Sequence, residues 1–314
     1  MRRLSAILVL GLLATGLTAC SNDTNRDDGI TRVAVAFYPI EEIVREVGGD
    51  AVQVITLVPP GEEAHEYDPT PKQLTELAEA DIVFYLGQGF QPNVEKALES
   101  LPTSVQKVDL LAQGGITLLP VTSQLPGTDG TAEGETLDNG KDPHVWLAPQ
   151  NMNNMAANVL TYLNVVSPSD ATKFAKNYGN YGTELGNLDR DFTSALARCR
   201  SPYIVSSHRA FGYLADAYGL EAIAIAGVSP SEEPSAKTLE AIAEFARAND
   251  VTTIFFEENL PADLATTLAG EVGATTGVLD TIESLSADQL NAGDDYLSLM
   301  RDNLAALREG LGCS

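Results

Sequence analysis

The sequence predicts an α/β fold of two lobes, each built on a parallel sheet, with one long rigid helix linking them. Three observations lead there. Short β-branched runs alternate with amphipathic stretches of helical period in both halves of the chain, which is the βαβ grammar of a parallel sheet covered on both faces. A mostly helical period of about 30 residues separates the halves. The length of 314 residues is too great for one average domain.

The elements follow in chain order. Residues 1–19 open with Arg2 and Arg3, run apolar from Leu4 to Leu17 and end in small residues before Cys20. That pattern is a secretory signal, too short for a membrane-spanning helix of ~20 apolar residues. Its ending, LTAC, resembles a lipobox, so Cys20 is expected to become a lipidated first residue. Residues 20–31 hold the polar run SNDTNRDDG and read as a solvated tether.

The first lobe is expected over 32–166. RVAVAF (32–37) reads as a strand, IEEIVREVGG (40–49) as a helix stopped by glycine, and AVQVITLV (51–58) as the next strand. PKQLTELAEA (71–80) is a helix with proline at its start, DIVFYLG (81–87) a strand and NVEKALES (93–100) a helix. The stretch 122–142, rich in Gly, Thr and acids, reads as a mobile loop.

Residues 167–199 form the expected linking helix, with Ser167 or Ser169 as N-cap. Gly179, Gly182 and Gly186 weigh against an unbroken one. The second lobe, 200–314, has expected strands at 203–207, 221–227, 251–257 and 276–280. Its expected helices lie at 210–219, 236–250, 261–273 and 294–311.

The bulk numbers bound the function. A formal net charge of −25 argues against nucleic acid or an anionic membrane surface as an electrostatic partner, and it draws cations. In an exported protein disulfides persist, so Cys199 and Cys313 are expected to pair and pin the C-terminal helix to the start of the second lobe.

The chain has only three histidines, His65, His144 and His208. Each follows a predicted strand or closes a loop, and none lies mid-helix on an apolar face. In open α/β sheets ligands bind beyond the carboxyl ends of the strands, so two facing sheets would gather the three in one cleft. Neutral imidazole suits Zn(II), and three of them plus one oxygen make a tetrahedral site. The prolines of VPPGEEAHEYDPTP (58–71) stiffen the loop bearing His65, and its acids either take the ring's other N–H or stay solvated. Binding is expected to weaken as pH falls through ~6.5, the ordinary imidazole value.

Three segments then become specific: PPGEEAHEYDPTPKQLTELAEADIVFYLG (59–87), DPHVWLAP (142–149) and SSHRAFGYLADAYGL (206–220). They resemble the metal-ligand segments of the cluster A-I solute-binding proteins, the zinc- and manganese-binding components of ABC importers. GVSPSEEPSAKTLEAI (227–242) and the stretch 279–307 resemble the same family, so the likeness covers nearly all of 32–311. The resemblance implies two Rossmann-like lobes joined by a rigid helix, with metal held between them. It also implies capture of free metal outside the membrane and delivery to an ABC permease; with Cys20 lipidated, the chain is expected to be a monomer anchored to the cell membrane. His65, His144 and His208 match the three family ligands. Manganese members resembling this chain carry a carboxylate where His208 stands, so Zn(II) is the expected transported ligand and manganese the alternative. Many zinc members have a histidine-rich loop before the second ligand, whereas 111–143 here has none.

The fourth ligand has two candidates in TTGVLDTIESL. Asp280 stands at the strand end, where manganese members carry an aspartate; Glu283 matches the glutamate-bearing zinc members and is preferred. Water could complete the shell instead. A zinc hydrolase is the rival of another class, since three ligands and an open position are a catalytic arrangement, but HExxH is missing. An adhesin role, claimed for relatives, is neither supported nor excluded by these residues.

Overall fold

The computed structural model describes residues 30–121, 125, 140–231, 234–257 and 262–314. The expected signal segment, Cys20 and most of the 122–142 loop lie outside these residues.

The first sheet contains β1 (Thr31–Val35), β2 (Val52–Thr56), β3 (Ile82–Tyr85) and β4 (Gln106–Asp109) in the order β2-β1-β3-β4, all parallel. Its crossovers carry α1 (Tyr38–Gly48), α2 (Pro71–Ala78) and α3 (Pro92–Glu99). Each begins with proline in its first turn, where the missing N–H costs nothing. The start of α2 adds a reciprocal cap between Thr70 and Gln73. Strands β1 and β3 are central, and Val33, Val35, Val83 and Phe84 are completely buried.

Then α4 (Pro149–Val166) and α5 (Ala171–Leu196) run as a packed pair. The helix α5 has 26 residues and spans ~39 Å. It passes unbroken through its three glycines because Phe174, Tyr181, Leu185, Leu188, Phe192 and Leu196 form one buried stripe whose packing outweighs the cost of glycine. Gly182 also serves the packing, since a Cβ there would come within 3.0 Å of the Asn153 side chain on α4. The N-cap is Asp170, reached through a short 3-10 turn at Pro168–Asp170, rather than Ser167 or Ser169.

The second sheet repeats the first. It contains β5 (Tyr203–Ser206), β6 (Glu221–Ala224), β7 (Thr253–Phe256) and β8 (Thr275–Val278) in the order β6-β5-β7-β8, again all parallel. Helices α6 (Gly212–Tyr218), α7 (Ala236–Ala248), α8 (Asp263–Val272), α9 (Ala287–Ala292) and α10 (Tyr296–Gly310) complete the chain. The last of these packs along α5, and its Tyr296 hydroxyl donates to the Trp146 carbonyl of the first lobe at 2.6 Å. The expected Cys199–Cys313 disulfide is present, 114 positions apart. Among the described residues, no helix is long and apolar enough to cross a membrane.

Three elements were not anticipated. The β4 strand, QKVD, is polar and lies at a sheet edge. The Asn-rich α4 buries Pro149 at its start and one face of Met152, Met155, Ala156, Val159 and Leu163. The six-residue α9 buries no residue.

Candidate metal centre

His65 lies on the connection between β2 and α2. Leu57 and Val58 continue the pairing of β2 by donating to Val35 and Ala36 carbonyls. The chain then reverses at Pro59-Pro60-Gly61-Glu62, where the Glu62 amide donates to the Pro59 carbonyl at 3.2 Å and Gly61 takes φ 80°. A proline second and a glycine third are what a type II turn requires. The Glu63 carboxylate then accepts the backbone N–H groups of His65 and Glu66 at 2.8 and 2.9 Å. An acid of this loop thus fixes the backbone, a role different from both sequence alternatives, an imidazole partner and a solvated carboxylate. From the other side the buried Gln91 amide donates to the Ala64 carbonyl at 2.9 Å, and Phe90 packs edge-on against the His65 ring at 4.6 Å between centroids.

His144 precedes a 3-10 turn (Val145–Leu147) that runs into α4. Asp142 Oδ1 accepts from the His144 backbone and lies 2.9 Å from its Nδ1. His208 stands two residues past β5, and Glu257 at the end of the neighbouring β7 lies 2.6 Å from its Nδ1. Both rings are fully buried. With their Nδ1 atoms held by carboxylates, both turn Nε2 into the cleft.

Glu283 arrives from the end of β8 through a tightly held segment. The Asp280 backbone exchanges two 2.7 Å hydrogen bonds with the Asn303 side chain. Asp280 Oδ1 accepts from the Ile282 amide at 2.7 Å and Oδ2 from Gln289 at 2.6 Å. Trp146 Nε1 donates to the Thr281 carbonyl at 2.7 Å. Ile282 itself is buried at φ 57°, a left-handed conformation that a β-branched residue adopts only when its surroundings compel it. This turn aims Glu283 inward.

The four side chains meet. His144 Nε2 lies 3.3 Å from His65 Nε2 and 3.4 Å from His208 Nε2. Glu283 Oε1 lies 3.6, 3.5 and 3.7 Å from the Nε2 atoms of His65, His144 and His208. All four donor atoms fall within 4.8 Å of one another. A tetrahedral ion with donors at 2.0–2.1 Å has donor–donor edges of about 3.3–3.4 Å, close to these spacings. Glu283 Oε1 is buried and has no hydrogen-bond partner, so this oxygen faces the other three donors alone. Asp280, the other candidate, spends both carboxylate oxygens on the turn and is not among the converging donors.

The electrostatics of the cluster follow from burial and pairing. Burial pulls the His144 value down, but the Asp142 and Glu283 carboxylates outweigh it and raise it to about 9. His208 is raised in the same way, burial being overcome by Glu257 and then Glu283. Glu283 is pushed up by burial, yet the surrounding imidazoles hold it well below the usual carboxylate range. The pocket is built for positive charge.

Sequence reasoning missed Glu257 and the pairing of Asp142 with His144. The signal for Glu257 was present as an acid closing the apolar strand TIFF, at the end from which a parallel sheet presents its ligands.

The family model for the zinc-uptake complex component A, periplasmic (ZnuA), matches residues 33–310. The chain belongs to this family. Zinc-binding lipoprotein AdcA of Streptococcus pneumoniae is 35% identical over 309 residues, covering 98% of this chain and 61% of AdcA. The high-affinity zinc uptake system protein ZnuA of Bacillus subtilis is 30% identical over 315 residues, covering 99% of this chain and 98% of its own length. Among solved structures, the Zn(II)-bound ZnuA-like domain of S. pneumoniae AdcA matches with a TM-score of 0.74 at 33% identity, over 90% of this chain and 99% of that one. The laminin binding protein Lmb of Streptococcus agalactiae, described as bifunctional with adhesin and metal transporting activity, matches with a TM-score of 0.76 at 26% identity, over 90% and 99%. As a ZnuA-family member, the chain corresponds to about three-fifths of the longer AdcA and nearly all of the B. subtilis ZnuA.

Proposed function

We propose that this chain captures Zn(II) in the cleft between its lobes, with His65, His144, His208 and Glu283 as ligands, and delivers it as cargo to the permease of an ABC importer. One observation carries the reading: four buried donor atoms from facing lobes converge at near-tetrahedral spacing, and one of them, Glu283 Oε1, lacks any hydrogen-bond partner. Three imidazoles favour Zn(II) over Mn(II), which prefers more oxygen. The names of the AdcA and ZnuA relatives support the same metal. The signal-like N-terminus supports export, lipidation at Cys20 and a tether to the cell membrane; the chain is further read as a monomer, with lobes over 32–166 and 200–314 joined by 167–199.

A hydrolase fits less well. Four protein donors close the tetrahedron that an activated water would need to enter. The nearby carboxylates Asp142 and Glu257 are already committed to imidazole N–H groups, and neither is placed to act as a general base.

Native mass spectrometry of metal-stripped protein offered Zn(II) and Mn(II) together tests the reading. One zinc per chain is the expected result; preferential uptake of manganese overturns the metal assignment.

A further inference from the structure

The turn that leads into His65 is held from across the cleft by the hydroxyl of Ser284. The Gly61 amide donates to Ser284 Oγ at 2.7 Å, and that hydroxyl donates onward to the Pro59 carbonyl at 3.3 Å. Ser284 therefore closes the Pro59–Glu62 turn from beneath, bonding the first carbonyl and the third amide of the same turn. The turn faces solvent on its outer side, while Ser284 is only 5% exposed. A second bond across the cleft lies beside His65, where the Ser231 hydroxyl donates to Glu66 Oε1 at 2.7 Å.

Position gives Ser284 its importance. It directly follows Glu283, so neighbouring side chains of one segment face the metal and clasp the loop of the opposing ligand. A bound ion can leave only after its ligands let go, and they are not equally free to do so. His144 is braced by Asp142, His208 by Glu257, and Glu283 by the Asp280–Ile282 turn and Trp146. His65 is held through its backbone, by Glu63 and by Gln91 at Ala64. The tip of its connection, at 59–62, is exposed to solvent, so the clasp on that tip decides how readily the connection opens.

We propose that Ser284 is a positioning residue that latches the His65 loop over the ion, so that its hydroxyl governs how fast captured metal departs. The inference rests on the zinc-capture reading. Loss of two neutral hydrogen bonds corresponds to roughly a tenfold change in rate.

The test uses the full chain with Ser284→Ala and Ser284→Thr, the latter keeping the hydroxyl. Zinc-loaded protein is chased with excess chelator, and metal-free protein is followed by amide hydrogen exchange over 59–66. In Ser284→Ala zinc should leave about tenfold faster, with its association rate and three-imidazole coordination by X-ray absorption unchanged, and 59–66 should exchange faster. Ser284→Thr should restore both. A dissociation rate and loop exchange in Ser284→Ala equal to wild type overturn the latch. Wild-type protein that takes up no zinc overturns the capture reading and, with it, the control of metal release; faster exchange over 59–66 in Ser284→Ala then shows only that the hydroxyl clasps the loop.

Discussion

Glu257 Oε1 and His208 Nδ1 lie 2.6 Å apart, both buried, at the ends of the adjacent strands β7 and β5. The contact fixes the imidazole with Nε2 toward the cleft and makes it a better donor to a cation. Glu257→Gln retains the shape but loses the charge, and zinc affinity is expected to fall ~10–100-fold by competition titration with a chromophoric chelator. Alanine at His65, His144 or His208 removes a donor outright and should cost more, with the fold retained by circular dichroism. Wild-type affinity in Glu257→Gln would mean that packing alone orients the ring.

Asp280 and Glu283 should separate by the kind of damage they cause. Glu283→Ala removes the unpartnered buried oxygen, so zinc binding and the zinc-induced rise in melting temperature are both lost, and the metal-free protein also loses stability because the carboxylate facing the buried imidazoles goes with it. Asp280→Ala releases the left-handed Ile282 and leaves the Ile282 amide and Gln289 without their acceptor, so the melting temperature drops along with affinity. Calorimetry with and without zinc reads both. An affinity loss confined to Asp280→Ala would exchange the two assignments.

Zinc binding should keep strengthening well above pH 7. His144 titrates at about 9 in the metal-free protein, and a protonated imidazole cannot ligate. A proton must therefore leave His144 whenever zinc enters below that value. Each pH unit lowered costs about tenfold in apparent affinity per displaced proton. The ordinary imidazole value would place this loss near 6.5; the paired carboxylates move its onset upward. Affinities measured in competition between pH 6 and 9.5 decide, and a curve flat above 7 contradicts the shift.

Glu42 carries a stability penalty of definite sign. It is buried on α1, accepts the Tyr38 hydroxyl at 3.1 Å, and is raised from 4.5 to about 7 by burial first and then by Asp295 and Glu46. With the folded value above the unfolded one, its contribution is intact below 4.5 and is lost as pH rises toward 7. The loss is roughly 3 kcal/mol at most. Glu42→Gln should therefore match wild type near pH 4.5 and exceed it in urea denaturation at pH 8. Equal stability at pH 8 would mean that the carboxylate is stabilised by its surroundings when charged.

The glycines of α5 provide a local test. A Cβ at Gly179 would meet nothing within 4 Å, so Gly179→Ala should stabilise by about 0.5–1 kcal/mol. Gly182→Ala should gain less or lose, since its methyl group meets Asn153. Thermal unfolding of the two variants side by side gives the comparison.

The sequence made the lobes legible because parallel strands buried on both faces leave apolar runs, as in IVFY of β3 and TIFF of β7. It left β4 and α4 unread because an edge strand and an Asn-rich helix bury one face and fill the rest with polar residues. The histidines could be picked out by their rarity and by their places after strands and loops. The carboxylates behind them could not, since Glu257 lies 49 positions from His208 and only the parallel pairing of β5 with β7 makes them neighbours. Local spacing also could not separate Asp280 from Glu283. Their roles are divided by a backbone turn at Ile282 that no residue preference announces.

The Cys199–Cys313 bond turns the second lobe into a covalent ring of chain. A single proteolytic cut between these cysteines would open the ring but release no fragment, because both pieces stay attached through sulfur. Damage of that kind would leave the mass unchanged on a non-reducing gel and show two bands only after reduction. For an extracytoplasmic protein, the bond keeps both pieces of this lobe together after a first cut.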